Sequence, residues 1–219
     1  MPIKRIYFVS GLGADERVFQ FLKIPDVEKI YIHWIPTIKG ESLQNYCQKL
    51  IEQIPTVEDS AIIGVSFGGI VAQEIDKLLE FKLVMIISSV KSIKEFPWHF
   101  KLMRWIRIDK AIPEDKKAIS KTHGITEKMF GVKNEKEKKI LRAVLEDINP
   151  IFLKWAIGAM MDWKQNEPKT GIVHIHGDSD KVFPVTNIKN YINIKSGGHL
   201  MLLNRAKEIS DIIQSKIKQ

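Results

Sequence analysis

Ser66 lies in the pentapeptide Gly64-Val65-Ser66-Phe67-Gly68, after an apolar run at 61–63 and before a stretch of helical pattern. Flanked in this way, a serine hydroxyl can be held out on a sharp turn as a nucleophile; the same small residues also suit a tight turn with an idle serine. A serine hydroxyl attacks poorly until a general base takes its proton, and near neutral pH that base is usually histidine. There are six histidines. His33 and His174 fall inside strand-like runs, His99 and His123 in a helical region, and His176 at the head of a turn, where structural or surface roles account for them. His199 follows Gly197-Gly198, a pair that lets a loop carry its histidine close to another backbone, and it is the expected base. A carboxylate must then orient the imidazole and stabilise its protonated form. The turn His176-Gly177-Asp178-Ser179-Asp180 offers Asp178 and Asp180, although aspartates are also ordinary turn formers. Acyl transfer further needs donors for an oxyanion, and the expected pair is the N–H of Phe67 and the N–H of Leu12, between Gly11 and Gly13. That glycine pair lacks the third glycine of a dinucleotide-binding loop, and no G-x-x-x-x-G-K-[ST] phosphate loop occurs.

These residues need a scaffold. Short β-rich runs recur at Arg5 to Val9, Lys29 to Trp34, Ser60 to Val65, Lys82 to Ser88, Gly171 to His176 and Tyr191 to Lys195. Several are almost continuously apolar, as strands buried on both faces of a parallel sheet are. Helical patterns separate them at Glu41 to Ile54, Gly68 to Leu79 and Leu200 to Ile217. The alternation predicts an α/β fold with a mostly parallel sheet of about six strands flanked by helices. It breaks between Lys91 and Lys169, where amphipathic patterns at Trp98 to Ile108, Glu114 to Lys121, Glu135 to Ile148 and Ile151 to Trp163 predict an all-helical insertion. The expected division is a core of residues 1–90 and 169–219, with a helical cap at 91–168.

Composition narrows the function classes. The 219 residues carry a formal net charge of +8, with 44% hydrophobic and 27% charged residues, ordinary for one globular domain with a full core. Seventeen Lys and Arg against eleven Asp and Glu put +6 of that charge in the segment from Lys91 to Pro168. The charges are interleaved, as in Glu135-Lys136-Glu137-Lys138-Lys139, which marks solvated helix faces; nucleic acid is not an expected partner. Cys47 is the single cysteine, so an intramolecular disulfide is impossible. No window reaches the length of a membrane span, and the N-terminal apolar run is too short for a signal peptide; a cytoplasmic location is expected.

Taken together, SGLGAD at 10–15, GVSFGG at 64–69, HGDSDKVFP at 176–184 and SGGH at 196–199 resemble the α/β-hydrolase superfamily, specifically its small, cap-bearing, esterase-like members. The order serine, aspartate, histidine along the chain is also that superfamily's. The resemblance implies Ser66 as nucleophile and His199 as base, favours Asp180 over Asp178 as acid, and matches Leu12 and Phe67 to the oxyanion hole. It implies a reduced core without the family's leading antiparallel strands, and a segment from Val185 to Asn190 too short for the usual helix. Many relatives have His-Gly where this chain has Ser10-Gly11.

The function so implied is a serine hydrolase cleaving a carboxylic ester or thioester of a small, partly apolar acyl substrate through an acyl-enzyme, with no cofactor. Trp98, Trp105 and Trp155 in the cap are candidate substrate-binding residues, among a set that also includes Phe100, Phe152, Met160 and Met161. The alternatives are a non-catalytic α/β-hydrolase-like protein that binds a ligand or partner, and a C–C bond hydrolase or perhydrolase on the same scaffold.

Overall fold

The computed structural model describes residues 2–116, 124, 127, 130, 132 and 135–219. Its centre is a six-stranded, all-parallel sheet in the order β2-β1-β3-β4-β5-β6, with β1 Arg5–Val9, β2 Glu28–Ile32, β3 Ser60–Val65, β4 Leu83–Ile87, β5 Val173–Gly177 and β6 Ile192–Ile194. The α-helices of the described residues are α1 Leu43–Leu50, α2 Phe67–Leu79, α3 Trp98–Trp105, α4 Glu135–Asp147, α5 Pro150–Asp162 and α6 Ala206–Ile217. All six strands fall where the apolar runs place them, and the sheet is wholly rather than mostly parallel.

The central strands show why. Every residue of β3 is buried, and so are the last four of β1 and of β4. Side chains alternate across the pleat. Tyr7, Val9 and Ile62 pack with α1, α2 and Trp163, whereas Ile6, Phe8 and Ile63 pack with Ile209, Ile213 and Ile217 of α6. A parallel sheet needs cover on both faces, and these two apolar layers provide it.

Local chemistry sets the helix ends. The Ser42 hydroxyl caps α1 by accepting from the Asn45 amide at 3.1 Å, and the Asn149 side chain caps α5, with Pro150 at the first helical position. α1 is shorter than its apolar pattern because the chain tightens into a 3₁₀ turn at Ile51–Gln53 ahead of Pro55. The pattern over Leu200 to Ile217 likewise divides into a 3₁₀ turn, Met201–Leu203, and α6. Between β5 and β6 there is only a 3₁₀ turn, Val185–Asn187.

Between β4 and β5 the regular elements of the described residues are all helical. The helix expected over Glu114 to Lys121 falls largely outside the described residues, as does His123. Ahead of β5 the chain is fastened to α2. The Trp163 indole donates to Glu74 Oε1 at 2.8 Å, Gln165 Nε2 to Gln73 Oε1 at 2.8 Å, and Lys169 pairs with Asp76 at 2.9 Å. The buried Glu74 and Asp76 carboxylates are therefore compensated, as buried charges must be.

Candidate active site

The sheet order reverses between β1 and β3, and open α/β sheets build their sites at the carboxyl ends of strands flanking such a switch. The loop after β1 and Ser66 after β3 meet there: a Cβ added to Gly11 would lie 3.6 Å from the Ser66 Cβ.

Ser66 has φ 53° and ψ −122°, a left-handed conformation that L residues rarely adopt and that costs on the order of 1–3 kcal/mol. The strain persists because the turn is clamped. The Ser66 amide donates to the Ile87 carbonyl at 2.9 Å, and its carbonyl accepts from the Gly69 amide at 2.9 Å and the buried Ser89 hydroxyl at 2.7 Å. A side chain on Gly64 would strike the Gly68 backbone, and one on Gly68 would strike the Val9 and Ser10 carbonyls. The two glycines flanking Ser66 thus permit close backbone packing, and the serine itself carries the positive φ.

The Ser66 hydroxyl lies 2.9 Å from His199 Nε2, and His199 Nδ1 lies 2.9 Å from Asp180 Oδ2. A carboxylate accepts, so the imidazole carries its proton on Nδ1 and turns the Nε2 lone pair toward Ser66. Asp180 Oδ1 accepts from the amides of Val182 at 2.8 Å and Phe183 at 2.9 Å. Burial alone would raise the Asp180 carboxyl; the His199 and His176 imidazoles and the Phe183 amide together outweigh it and hold the group below the ordinary carboxylate range. Asp178 is turned away, its Oδ1 accepting from the Ser196 amide at 2.7 Å and the Ser179 hydroxyl at 3.1 Å. Gly177 lets the loops meet: a side chain there would strike the Gly197 carbonyl, two residues before His199.

In the loop after β1, the Ser10 hydroxyl donates to the Ala14 carbonyl at 2.6 Å, and the Ala14 amide donates to the Gly11 carbonyl at 3.0 Å. Trp34 Nε1 also donates to the Gly11 carbonyl, at 3.2 Å. In a trans peptide the N–H points opposite to its C=O, so the Leu12 N–H is directed away from Trp34. Neither it nor the Phe67 N–H, which opens α2, has an acceptor among the described residues.

A histidine pair extends the site in a way the sequence reading did not assign. His176 Nε2 lies 2.8 Å from the Phe183 carbonyl and 3.5 Å from Asp180 Oδ2. A carbonyl only accepts, so Nε2 carries the proton and Nδ1 of the neutral ring accepts from His174 Nε2 at 3.1 Å. Both rings are buried, and burial pushes both below the ordinary histidine range, His174 furthest. Their spacing of two in a strand put them on one face; the pairing with the acid turn required the fold. Rings also close around the base, with Phe130 at 5.0 Å and Phe183 at 5.6 Å from the His199 centroid, both edge-on.

The aromatic residues between β4 and β5 separate. Trp155 packs 4.3 Å from Tyr46 and 6.2 Å from Phe67, beside the nucleophile, while its indole donates to the Glu41 carbonyl at 2.8 Å. Phe100, Phe152 and Met161 are buried in the core. Trp98 and Trp105, the other two candidate substrate-binding tryptophans, are 74% and 81% exposed and face solvent. Both lie on the outward stripe of α3, which Phe100 and Met103 anchor from the opposite side. Among the described residues no three His, Cys, Asp or Glu side chains converge as a metal site, and no helix is long and apolar enough to cross a membrane.

No protein-family model matches the chain, and no curated protein matches it in sequence. Solved structures match over nearly its whole length. A hydrolase from Oleispira antarctica is 14% identical with a TM-score of 0.74, covering 99% of this chain and 91% of its own. A structure from a study of carboxylesterases of the thaumarchaeon Nitrososphaera gargenis is 17% identical with a TM-score of 0.73, covering 98% and 89%. MenH from S. aureus is 16% identical with a TM-score of 0.71, covering 100% and 94%. At these identities the likeness is one of architecture, and the architecture of this chain is the α/β-hydrolase fold.

Proposed function

We propose that the protein is a serine hydrolase that cleaves a carboxylic ester or thioester of a small, partly apolar acyl group. One observation carries this reading: an unbroken hydrogen-bonded series from the Ser66 hydroxyl through His199 to Asp180, with the Leu12 and Phe67 N–H groups lacking an acceptor among the described residues. Binding alone requires no such series, which counts against a non-catalytic ligand- or partner-binding protein. Hydrolases and esterases among the structures of similar fold support the same reaction class.

In the proposed reaction the Ser66 oxygen attacks the acyl carbonyl as His199 Nε2 takes its proton. The new imidazolium is stabilised by Asp180, whose other oxygen is held by the Val182 and Phe183 amides. The Leu12 and Phe67 N–H groups receive the oxyanion. As the tetrahedral adduct collapses, His199 returns the proton to the leaving alcohol or thiol, and the acyl group stays on Ser66. Water then attacks the acyl-enzyme, losing a proton to His199, and His199 passes that proton to the Ser66 oxygen as the acid leaves, restoring both groups. Trp155, Phe67 and Phe130 supply apolar surface near the acyl position, and no cofactor takes part. Residues 91–168 act as a cap over the core.

Labelling with a fluorophosphonate probe, read by mass spectrometry, tests the nucleophile. The expected result is a single adduct on Ser66, absent in Ser66→Ala and strongly slowed in His199→Ala. An unlabelled wild-type protein, or equal labelling of Ser66→Ala, would overturn the assignment. A panel of nitrophenyl esters and acyl thioesters then ranks leaving group and chain length.

A further inference from the structure

The outward face of α3 is apolar and is not covered by any of the described residues. Trp98, Leu102 and Trp105 stand at i, i+4 and i+7, one stripe of a helix, and Ile106 extends it; their exposures are 74%, 47%, 81% and 52%. Large apolar side chains scattered singly on a surface need no explanation, but four on one face, two of them tryptophans, mark an interaction surface. Neither indole N–H has an acceptor among the described residues.

Charge selects the partner. From Trp98 to Ile108 there is no acidic residue; the exposed Lys101 lies beside the stripe, and the half-buried Arg104 lies on the flank between it and Phe100. No carboxylate among the described residues pairs with either, nor with the exposed Lys110. By contrast, the neighbouring Lys94 pairs with Glu167, and Arg107 with Asp109 and Asp162. A second copy docking α3 on α3 would bring these cations against their own counterparts, with no acid on the face to receive them. Apolar and indole side chains beside cations that no described carboxylate pairs, on a short helix, are what an interfacial helix presents to lipid headgroups. The helix is firmly seated from behind: Phe100 stacks at 5.3 Å on Phe96 and lies 5.5 Å from Phe183, which packs edge-on to His199.

We propose that this face of α3 docks the protein reversibly on a bilayer surface bearing anionic headgroups, with Trp98, Leu102, Trp105 and Ile106 entering the headgroup boundary and Lys101 and Arg104 meeting the lipid charge. The inference does not rest on catalysis by Ser66, and Ser66→Ala protein is expected to bind equally.

Co-sedimentation with vesicles of equal parts phosphatidylglycerol and phosphatidylcholine, against pure phosphatidylcholine, tests it, with tryptophan emission as the second readout. Expected are binding and a blue shift on the anionic vesicles alone, both weakened by 0.5 M salt, as surface electrostatics require. Trp98→Ala/Trp105→Ala should lower partitioning about tenfold or more, and Lys101→Gln/Arg104→Gln about 30-fold. Unchanged thermal melting and circular dichroism of both variants show that the fold is intact, as substitutions of exposed side chains should leave it. No binding, equal binding to both vesicles, or binding that survives loss of both tryptophans overturns the proposal. So does a concentration-dependent dimer in sedimentation that disappears in Trp98→Ala/Trp105→Ala, which would make a second copy the occupant.

Discussion

Asp180 shows how much of the arrangement around Ser66 depends on which atom carries a proton. Its Oδ1 is occupied by two backbone amides and its Oδ2 by His199 Nδ1. In Asp180→Asn the side-chain oxygen is still drawn to the Val182 and Phe183 amides, which turns the new NH₂ group toward His199. Two donors then face each other unless the imidazole moves its proton to Nε2, where it can no longer accept from Ser66. The expected outcome is a fall in kcat/KM of about 10⁴-fold at neutral pH, since this loss is one of tautomer rather than of geometry. Nitrophenyl ester kinetics and slowed fluorophosphonate labelling check it. Activity within tenfold of wild type would show that Asp180 does not orient the base. Ser66 and His199 stand out in the sequence as candidates because glycines flank the serine and precede the histidine, and glycine beside a polar residue reports close backbone approach. Ser89, which holds the Ser66 carbonyl, has no glycine beside it, and the Gly177 beside His176 reports the approach of Gly197 rather than the bond of His176 to the Phe183 carbonyl; the partners of Ser89 and His176 lie 23 and seven residues away.

At the scale of elements, the site is a meeting of loops that glycine makes possible. In Gly177→Ala the new methyl would occupy the space of the Gly197 carbonyl, at the point where the β5 turn and the His199 loop touch. Neither neighbour is a flexible side-chain tip that could swing aside, so the His199 loop must shift. The variant is expected to lose about 1–3 kcal/mol of stability, as overpacked sites do. It should also lose a larger share of kcat than of binding, because His199 moves while the apolar surface stays. Chemical denaturation read beside the separate kcat and KM values tests this; unaltered kcat would show that the close approach does not set the position of His199. The strands were legible for the reason Gly177 is sensitive: burial on both faces leaves few residue types that fit, and the apolar runs mark β1 and β3 to the residue. Helix ends were less legible. Whether Ile51–Gln53 continues α1 or tightens into a 3₁₀ turn is decided by where the chain must go next, and apolar spacing is the same for both. The outward turn of Trp98 and Trp105 was hidden similarly, since a stripe at helical spacing reads alike whether it faces the core or solvent.

For the molecule as a whole, the buried histidines make stability a function of pH. Burial favours the neutral rings of His174 and His176, while in the unfolded chain they take up protons near the ordinary value of 6.5. Below that pH the unfolded state therefore binds more protons than the folded one, and stability falls as pH falls. The contribution is fully present above about 6.5 and is lost as the solution acidifies toward the lowered folded values. Each histidine adds a slope of at most about 1.4 kcal/mol per pH unit. Asp180 acts in a separate, more acidic window: its folded value lies below the ordinary 3.8, so its contribution holds above that pH and is lost as pH drops through the lowered value. Acidification also adds to the net charge of +8, and general repulsion destabilises in the same direction. The two effects differ in their response to salt and substitution. Repulsion between surface charges is screened by 0.5 M salt, whereas the cost of protonating a buried ring is not. Urea denaturation at pH 7.5, 6.5, 5.5 and 5.0 in high salt should thus show stability declining with acid in the wild type and a shallower decline in His174→Gln. A flat profile, or an equal slope in the variant, would mean that the folded protein accepts the proton, with His174 and His176 sharing it across their 3.1 Å contact and Asp180 balancing its charge.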